Sequence, residues 1–328
     1  MHCLEFVATI YGMDMRSGIV IRGINNIYSI VDVTEINDLA SATVFECRIK
    51  GKILSDVEDE YSPLAVGDQV DFHLTGDDEG LIIRRSERKN SFDRWNQKRG
   101  RNQTLVANMD LIVCISSTDM PPFRPRFIDR AIVCANGIPL LIVLNKADLP
   151  LTEEQDQRFR LYAELGYETF VLSAFDQEGI TALKKILQGK TVALIGQSGV
   201  GKSTITNALL GDMELQKVGS VSQKYQRGRH TTNHAIMLAG QGFTIVDTPG
   251  MRELLVPHTS AYQIAQNFPE FRKVQDQCAF VQCTHIHEPD CAVKALVENQ
   301  EIHPDRYASY ERMIQSLSWR PQEWELGL

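Results

Sequence analysis

Residues 191–203, TVALIGQSGVGKS, limit the possible folds of this chain more than any other stretch. An apolar, β-branched run empties into a glycine-rich turn that ends in Lys202 and Ser203, with the spacing G-x-x-x-x-G-K-S. Gly196, Gly199 and Gly201 allow the backbone to curl, so that N–H groups along Gln197, Ser198, Val200 and Thr204 face one polyanion. Lys202 adds a point charge at the β- and γ-phosphates, and the Ser203 hydroxyl is placed to ligate Mg²⁺. A helix beginning at Lys202 and running through Leu210 to Gly211 aims its positive dipole end at the same phosphates. A strand before the turn and a helix after it make this an α/β nucleotide site, not a solvated glycine turn.

At 328 residues and 43% hydrophobic content, the chain suits two or three domains with real cores. No run is long and apolar enough to span a membrane, and residues 1–12 carry Glu5 and lack a basic secretory start, so a cytoplasmic protein is expected. A net charge of −8 argues against a uniformly basic nucleic-acid coat and directs attention to local patches. The seven cysteines are an odd number, and Cys114 and Cys134 fall in apolar segments as small hydrophobes; disulfides are not expected.

Residues 1–88 read as five short strands with turns at Gly23, Gly51, Gly67-Asp68 and Gly76-Asp77, the pattern of a small antiparallel barrel of OB type. Residues 84–101 hold eight Lys/Arg against Glu87 and Asp93, a local charge of +6 without apolar periodicity. Such a run is either a solvated linker or a track for a phosphate backbone, with Phe92 and Trp95 stacking on bases. From Val106 strands alternate with helices, as in a mostly parallel sheet covered on both faces. Ile128, Ile132 and Ala135 share one helical face, and Thr152 with Gln155 makes a capping box.

Two further loops complete a nucleotide site. FTIVDTPG, residues 243–250, places Asp247 where it can hold a water on Mg²⁺ and Gly250 where its N–H can reach a γ-phosphate. NKAD, residues 145–148, ends another buried strand. Asp148 can accept from N1–H and N2–H₂ of guanine, the Lys146 stem can cover the base, and Asn145 can tie this loop to the phosphate loop. Ser173-Ala174 can offer a backbone N–H to guanine O6, so the nucleotide is GTP.

These elements come in an unusual order: NKAD and SA precede GQSGVGKS, which is followed by RGRHTTN and DTPG. In this order, with a barrel ahead and C-x4-C-x-H-x5-C behind, the chain resembles the circularly permuted GTPases of the RsgA/YjeQ family. The resemblance implies a GTPase that binds the 30S ribosomal subunit and 16S rRNA, assists late maturation of that subunit, and is stimulated by it. Met251 stands where a water-orienting Gln would be, and Met cannot polarise water. His230 is the nearest residue able to do so, and the resemblance points to the same histidine as catalytic; capping the switch or contacting RNA are its other readings. Thr232, or else Thr231, would contact Mg²⁺ in the triphosphate state. The first switch is basic, with Lys217, Lys224, Arg227 and Arg229 and no acid between 217 and 230.

Cys278, Cys283, His285 and Cys291 bring three thiolates and one imidazole around a single ion, as in a closed structural Zn²⁺ site; His287 is a near decoy. Helices with Tyr307, Tyr310, Ile314 and Leu317 on one side are expected to pack around it. The expected organisation is thus an OB-fold RNA-binding barrel (1–88), a basic linker (89–105), a permuted GTPase domain (106–255) and a zinc-binding helical module (256–328). Neither membrane nor DNA is an expected partner, and the chain is expected to act as a monomer. The rival reading is an RNA-binding scaffold that holds GTP as a structural ligand; a metallochaperone would need an open metal site.

Overall fold

The computed structural model describes residues 15–39, 41–49, 63–211, 234–318 and 320. Strands Met15–Ile24 (β1), Ile27–Asp32 (β2), Val44–Ile49 (β3), Gln69–Leu74 (β4) and Glu79–Arg85 (β5) pair in the order β1-β2-β3-β5-β4, and β4 closes back on β1. Only β3 and β5 run parallel among these pairs, so this is the OB-like barrel. Val20, Ile30, Val70, Phe72 and Ile82 fill it completely buried. The first turn differs from expectation: Gly23 lies inside β1 opposite Tyr28, and the chain reverses at Asn25-Asn26. Both asparagines have positive φ (49° and 65°), the conformation that a tight two-residue hairpin requires. Gly51 lies outside the described residues.

The basic run is not a tether. Ser91–Asn96 (β6) and Arg101–Ala107 (β7) form a separate two-stranded hairpin. Phe92 and Trp95 are turned into the protein, 0% and 6% exposed, so they are not available to stack on bases. Part of the positive charge is structural as well: Arg88 forks onto fully buried Asp68 through contacts of 2.7 and 2.8 Å, and Arg84 pairs with Asp71.

The next sheet comprises Leu111–Ser117 (β8), Leu140–Asn145 (β9), Glu168–Val171 (β10), Thr191–Gly196 (β11), Ile236–Gly240 (β12) and Phe243–Asp247 (β13). Its order is β10-β9-β8-β11-β13-β12, parallel except for β12. Helices Pro125–Ala135 (α1), Glu153–Glu164 (α2), Gln177–Leu187 (α3) and Lys202–Leu210 (α4) connect the strands. The capping box of Thr152 and Gln155 is present, and α1 buries Ile128, Ile132 and Ala135. The later strand β11 covers the edge of β8, while the barrel adds to the far side through Arg22 opposite Ile236.

Beyond β13 the chain forms Ala261–Ala265 (α5), Pro269–Arg272 (α6), Ala292–Glu298 (α7) and Pro304–Ser318 (α8). One apolar core runs from Met251, Leu254 and Val256 through Ile264, Phe268 and Phe271 to Cys283, Cys291 and Tyr310, with Tyr307, Ile314 and Leu317 packed on it. A charged cluster without a local sequence signature joins these helices to the sheet. Arg306, 1% exposed, forks onto Glu270 (2.7 and 3.2 Å) and donates to Asp129 (2.6 Å). Asp129, fully buried on α1, also accepts from Arg158 (3.1 Å) and the Tyr162 hydroxyl (2.6 Å) of α2.

Candidate nucleotide site and metal centre

Because β10, β9, β8, β11 and β13 are parallel, the loops at their C-terminal ends line one edge of the sheet, where ligands of open α/β sheets bind. The phosphate loop needs its glycines. Gly199 and Gly201 have φ of 87° and 95°. A Cβ on Gly196 would lie 2.5 Å from the Ile115 carbonyl oxygen, and one on Gly201 would lie 2.3 Å from Asn145 Nδ2. Gln197 and Val200 are buried, whereas Ser198, Ser203 and Thr204 are exposed.

Lys202 is 7% exposed, and its Nζ donates to the carbonyls of Gly196 (3.1 Å) and Gln197 (3.3 Å). Burial lowers its pKa, and the charge of Asp247 acts in the opposite direction. Asp247 is equally buried, and burial pushes its carboxyl up to about 6 against the pull of Lys202. Its Oδ1 has no hydrogen-bond partner among the described residues. A buried carboxylate with a spare oxygen, near a phosphate loop carrying Ser203, suits a hard cation bound with phosphate. The DTPG turn lies against the phosphate loop, for a Cβ on Gly250 would be 3.0 Å from Ser198 Cα and 3.4 Å from Lys202 Nζ. Met251 is buried and donates its N–H to the Gly196 carbonyl (3.2 Å), so its thioether belongs to the core and cannot orient water.

Asn145 is the joint of the site. Its Nδ2 donates to the Val200 carbonyl (2.8 Å), and its Oδ1 accepts from the Ala174 N–H (3.0 Å), which ties three loops into one rim. Of the Ser173-Ala174 backbone expected to offer an N–H to guanine O6, the Ala174 N–H is engaged by Asn145. Lys146 has φ of 62°, and its Nζ donates to the carbonyls of Asp119 (3.2 Å) and Met120. Asp148 is exposed. Sequence reasoning missed the loop after β8. Thr118 holds the Lys146 carbonyl (2.8 Å), and Pro121 Cδ sits 3.3 Å from where a Gly199 Cβ would be. A polar-to-proline break straight after a wholly buried strand was the available signal. His230, Thr231 and Thr232, with Lys217, Lys224, Arg227 and Arg229, lie outside the described residues.

The ligand atoms of Cys278, Cys283, His285 and Cys291 all lie within 4.8 Å of one another. Cys278 Sγ is 3.9 Å from Cys291 Sγ, and His285 Nδ1 is 3.7 and 3.3 Å from those two sulfurs. Metal–sulfur bonds of about 2.3 Å in a tetrahedron place sulfurs roughly 3.8 Å apart, so the four groups fit one metal ion. Burial, helped by the charges of Cys291 and Cys278, pushes the Cys283 thiol up to about 12. Burial also lowers the pKa of His285 and so favours the neutral imidazole that ligates metals. The outer contacts fix the loop: the Tyr307 hydroxyl donates to the His285 carbonyl (2.6 Å), and Tyr310 donates to that of Thr284. His287 is exposed and outside the cluster.

Comparison with known proteins agrees with this architecture. The RsgA GTPase family model matches residues 85–257, and the RsgA N-terminal domain model matches residues 17–82. Small ribosomal subunit biogenesis GTPase RsgA of Borrelia recurrentis (strain A1) is 37% identical over 301 residues, covering 91% of this chain and 93% of the relative. Its namesake in Bacillus velezensis is 31% identical over 312 residues, covering 93% and 99%. The crystal structure of YjeQ from Thermotoga maritima superposes with a TM-score of 0.66 at 28% identity over 94% of this chain and 100% of that one. YloQ, described as a circularly permuted GTPase, gives 0.64 at 25% over 94% and 97%. With the permuted order of loops, the OB-like barrel and the matches to both domain models, the chain belongs to the RsgA family of circularly permuted GTPases.

Proposed function

We propose that this GTPase hydrolyses GTP to GDP and phosphate on the small (30S) ribosomal subunit and assists a late step of its maturation. The observation that carries the reading is the rim joined by Asn145, which brings the phosphate loop, NKAD and SA together, with DTPG lying on the phosphate loop. In this reading Gly196–Thr204 and Gly250 cradle the phosphates, Lys202 carries the charge facing them, and Asp148 selects guanine. Ser203, Asp247 and Thr232 would hold Mg²⁺, which when bound neutralises phosphate charge. Cys278, Cys283, His285 and Cys291 would hold one Zn²⁺ with no open position and so no catalytic role. His230 orients the attacking water.

For 16S rRNA the favourable surface is a cleft between the barrel, the β6–β7 hairpin and Pro249 of the DTPG turn. Arg94, Arg99, Arg101 and His234 line it, and no carboxylate does so among the described residues. A cation-lined groove tracks a phosphate backbone whatever the base sequence. We further take the protein to act as a cytoplasmic monomer.

The test is GTP turnover by the purified protein, titrated with small ribosomal subunits. Slow intrinsic turnover should rise to a plateau, because Met251 leaves the water-orienting position without a polar group. Turnover that stays negligible at saturating subunit would favour a scaffold holding GTP. His230→Ala should lower the plateau about 10²-fold, the usual size of a positioning or acid–base contribution, with GTP affinity nearly intact. An unchanged plateau reached at higher subunit concentration would assign His230 to RNA contact instead.

A further inference from the structure

Lys146, the second residue of NKAD, holds φ at 62°, a left-handed conformation that is costly for any residue with a Cβ. Backbone strain of this kind persists only where the surroundings impose it. Much of that hold comes from the end of β8 and the loop after it, residues 117–121. The Thr118 hydroxyl donates to the Lys146 carbonyl at 2.8 Å, and the Thr118 N–H donates to the Asn145 carbonyl at 3.2 Å. The Lys146 ammonium reaches back the other way, onto the carbonyls of Asp119 (3.2 Å) and Met120. Asp148 stands two residues past Lys146, so the turn fixed at Lys146 decides where that carboxylate can reach.

The same segment braces the phosphate loop. Ser117, fully buried, donates from its hydroxyl to the Pro121 carbonyl (2.7 Å), which folds the loop back on itself. Pro121 Cδ then lies 3.3 Å from where a Cβ on Gly199 would be. Thr118 is 2% exposed, so its hydroxyl is turned to the backbone it holds and not to a ligand. The Lys146 carbonyl also accepts from the Leu149 N–H (2.9 Å). Removing the Thr118 hydroxyl would therefore loosen the turn without leaving a bare carbonyl behind.

We propose that Thr118 is a positioning residue for guanine selection: its hydroxyl pins the left-handed turn at Lys146 and so sets the carboxylate of Asp148 against the base. This rests on the GTP reading above and names what fixes the selectivity of that site. Asp148 accepts from both N1–H and N2–H₂ of guanine, but only from N1–H of hypoxanthine, which has no amino group. A hydrogen bond to a well-placed carboxylate is worth roughly 10-fold in affinity or more. A carboxylate that is free to shift loses much of that advantage.

Thr118→Val keeps the β-branched shape and the N–H bond to Asn145 and loses the hydroxyl alone. The ratio of the IDP to the GDP dissociation constant, measured by titration calorimetry, should fall about 3-fold or more from its wild-type value, with GDP weakened more than IDP. KM for GTP should rise while kcat at saturating GTP holds, since base contacts serve the ground state and the transition state alike. Thr118→Ser returns the hydroxyl and should restore the ratio. Thr118→Ala should repeat the fall, and it carries the test if the valine variant does not fold. A ratio that stays within about twofold of wild type in both hydroxyl-free variants, or one that Thr118→Ser leaves lowered, would overturn the assignment and make Thr118 a packing residue. A wild-type protein that binds ADP as tightly as GDP would overturn the GTP reading instead, and that is seen before any variant is made.

Discussion

Cys283→Ala should strip the protein of its metal and, with it, of the packed order of the C-terminal module. Three thiols and an imidazole lie within 4.8 Å of one another, mostly buried. Without a cation, burial opposes ionisation of the Cys283 and Cys291 thiols. A divalent ion reverses that balance, and its binding energy becomes folding energy, about 10–16 kcal/mol in small zinc-binding peptides at neutral pH. Losing one of four ligands should therefore exceed the ~1 kcal/mol typical of a point substitution. The loss should appear first where the loop carbonyls are held by Tyr307 and Tyr310, and so in α8. Elemental analysis should give one zinc per wild-type chain and much less in the variant, while limited proteolysis should cut within 278–318 first. His287→Ala is the control and should keep its zinc, because His287 is exposed and away from the cluster. Full zinc retention in Cys283→Ala would remove Cys283 from the ligand set.

The consequences of the permuted order are visible in the core. Among the described residues, none after DTPG forms a further strand of the sheet; Met251, Leu254 and Val256 enter the same apolar core as Phe271, Cys283 and Cys291. A shift of Gly250 with the γ-phosphate would thus be passed on through packed side chains to the metal-binding module, with no further hinge required. Arg130 on α1 and Glu253 are also within ion-pair distance, 3.3 Å, although partly in solvent and so of small energetic weight.

What could be read in the sequence was what depends on neighbours in sequence. The phosphate loop, NKAD, DTPG and the four metal ligands each carry their chemistry within a few residues, and the structure brings each set together. The Asn25-Asn26 turn was legible in principle, but Gly23 two residues earlier is the commoner turn former, and here it serves inside a strand. The basic run failed for a different reason. Its partners are remote: the Trp95 N–H bonds the Leu255 carbonyl at 3.0 Å, and the Arg320 guanidinium lies 4.9 Å from the Trp95 ring centre. Arg88 likewise needs Asp68, 20 residues back. Nothing in the sequence tells that Asn145 reaches the Ala174 N–H, one of the Ser173-Ala174 groups expected to face guanine. Asp129 gave a hint, as a carboxylate on an apolar helical face, but its partner Arg306 lies 177 residues on.

Arg306→Leu should be the most damaging single substitution outside the two sites. The guanidinium is 1% exposed and bridges Glu270 and Asp129 while stacking 4.3 Å from the Phe268 ring centre. Burial works against its charge, but the carboxylates of Asp129 and Glu270 outweigh that effect and raise its pKa. Leucine would leave Glu270 buried without the cation that now pairs with it, and would leave Asp129 with Arg158 and Tyr162 among the described residues. Breaking a buried pair from one side costs about 3–5 kcal/mol, mostly because the surviving charge is left uncompensated. For a domain of this size that lowers Tm by on the order of 10 °C. The same reasoning fixes a second measurement. If the cost is the abandoned charge, Glu270→Gln added to Arg306→Leu should restore part of the stability, and the double-mutant cycle should show coupling of about 1 kcal/mol or more. Arg306→Lys should fall between, keeping the charge but losing the fork onto Glu270. A Tm for Arg306→Leu within a degree or two of wild type, or strictly additive losses in the cycle, would mean that apolar packing of α8, and not this ion cluster, holds the C-terminal helices to the GTPase sheet.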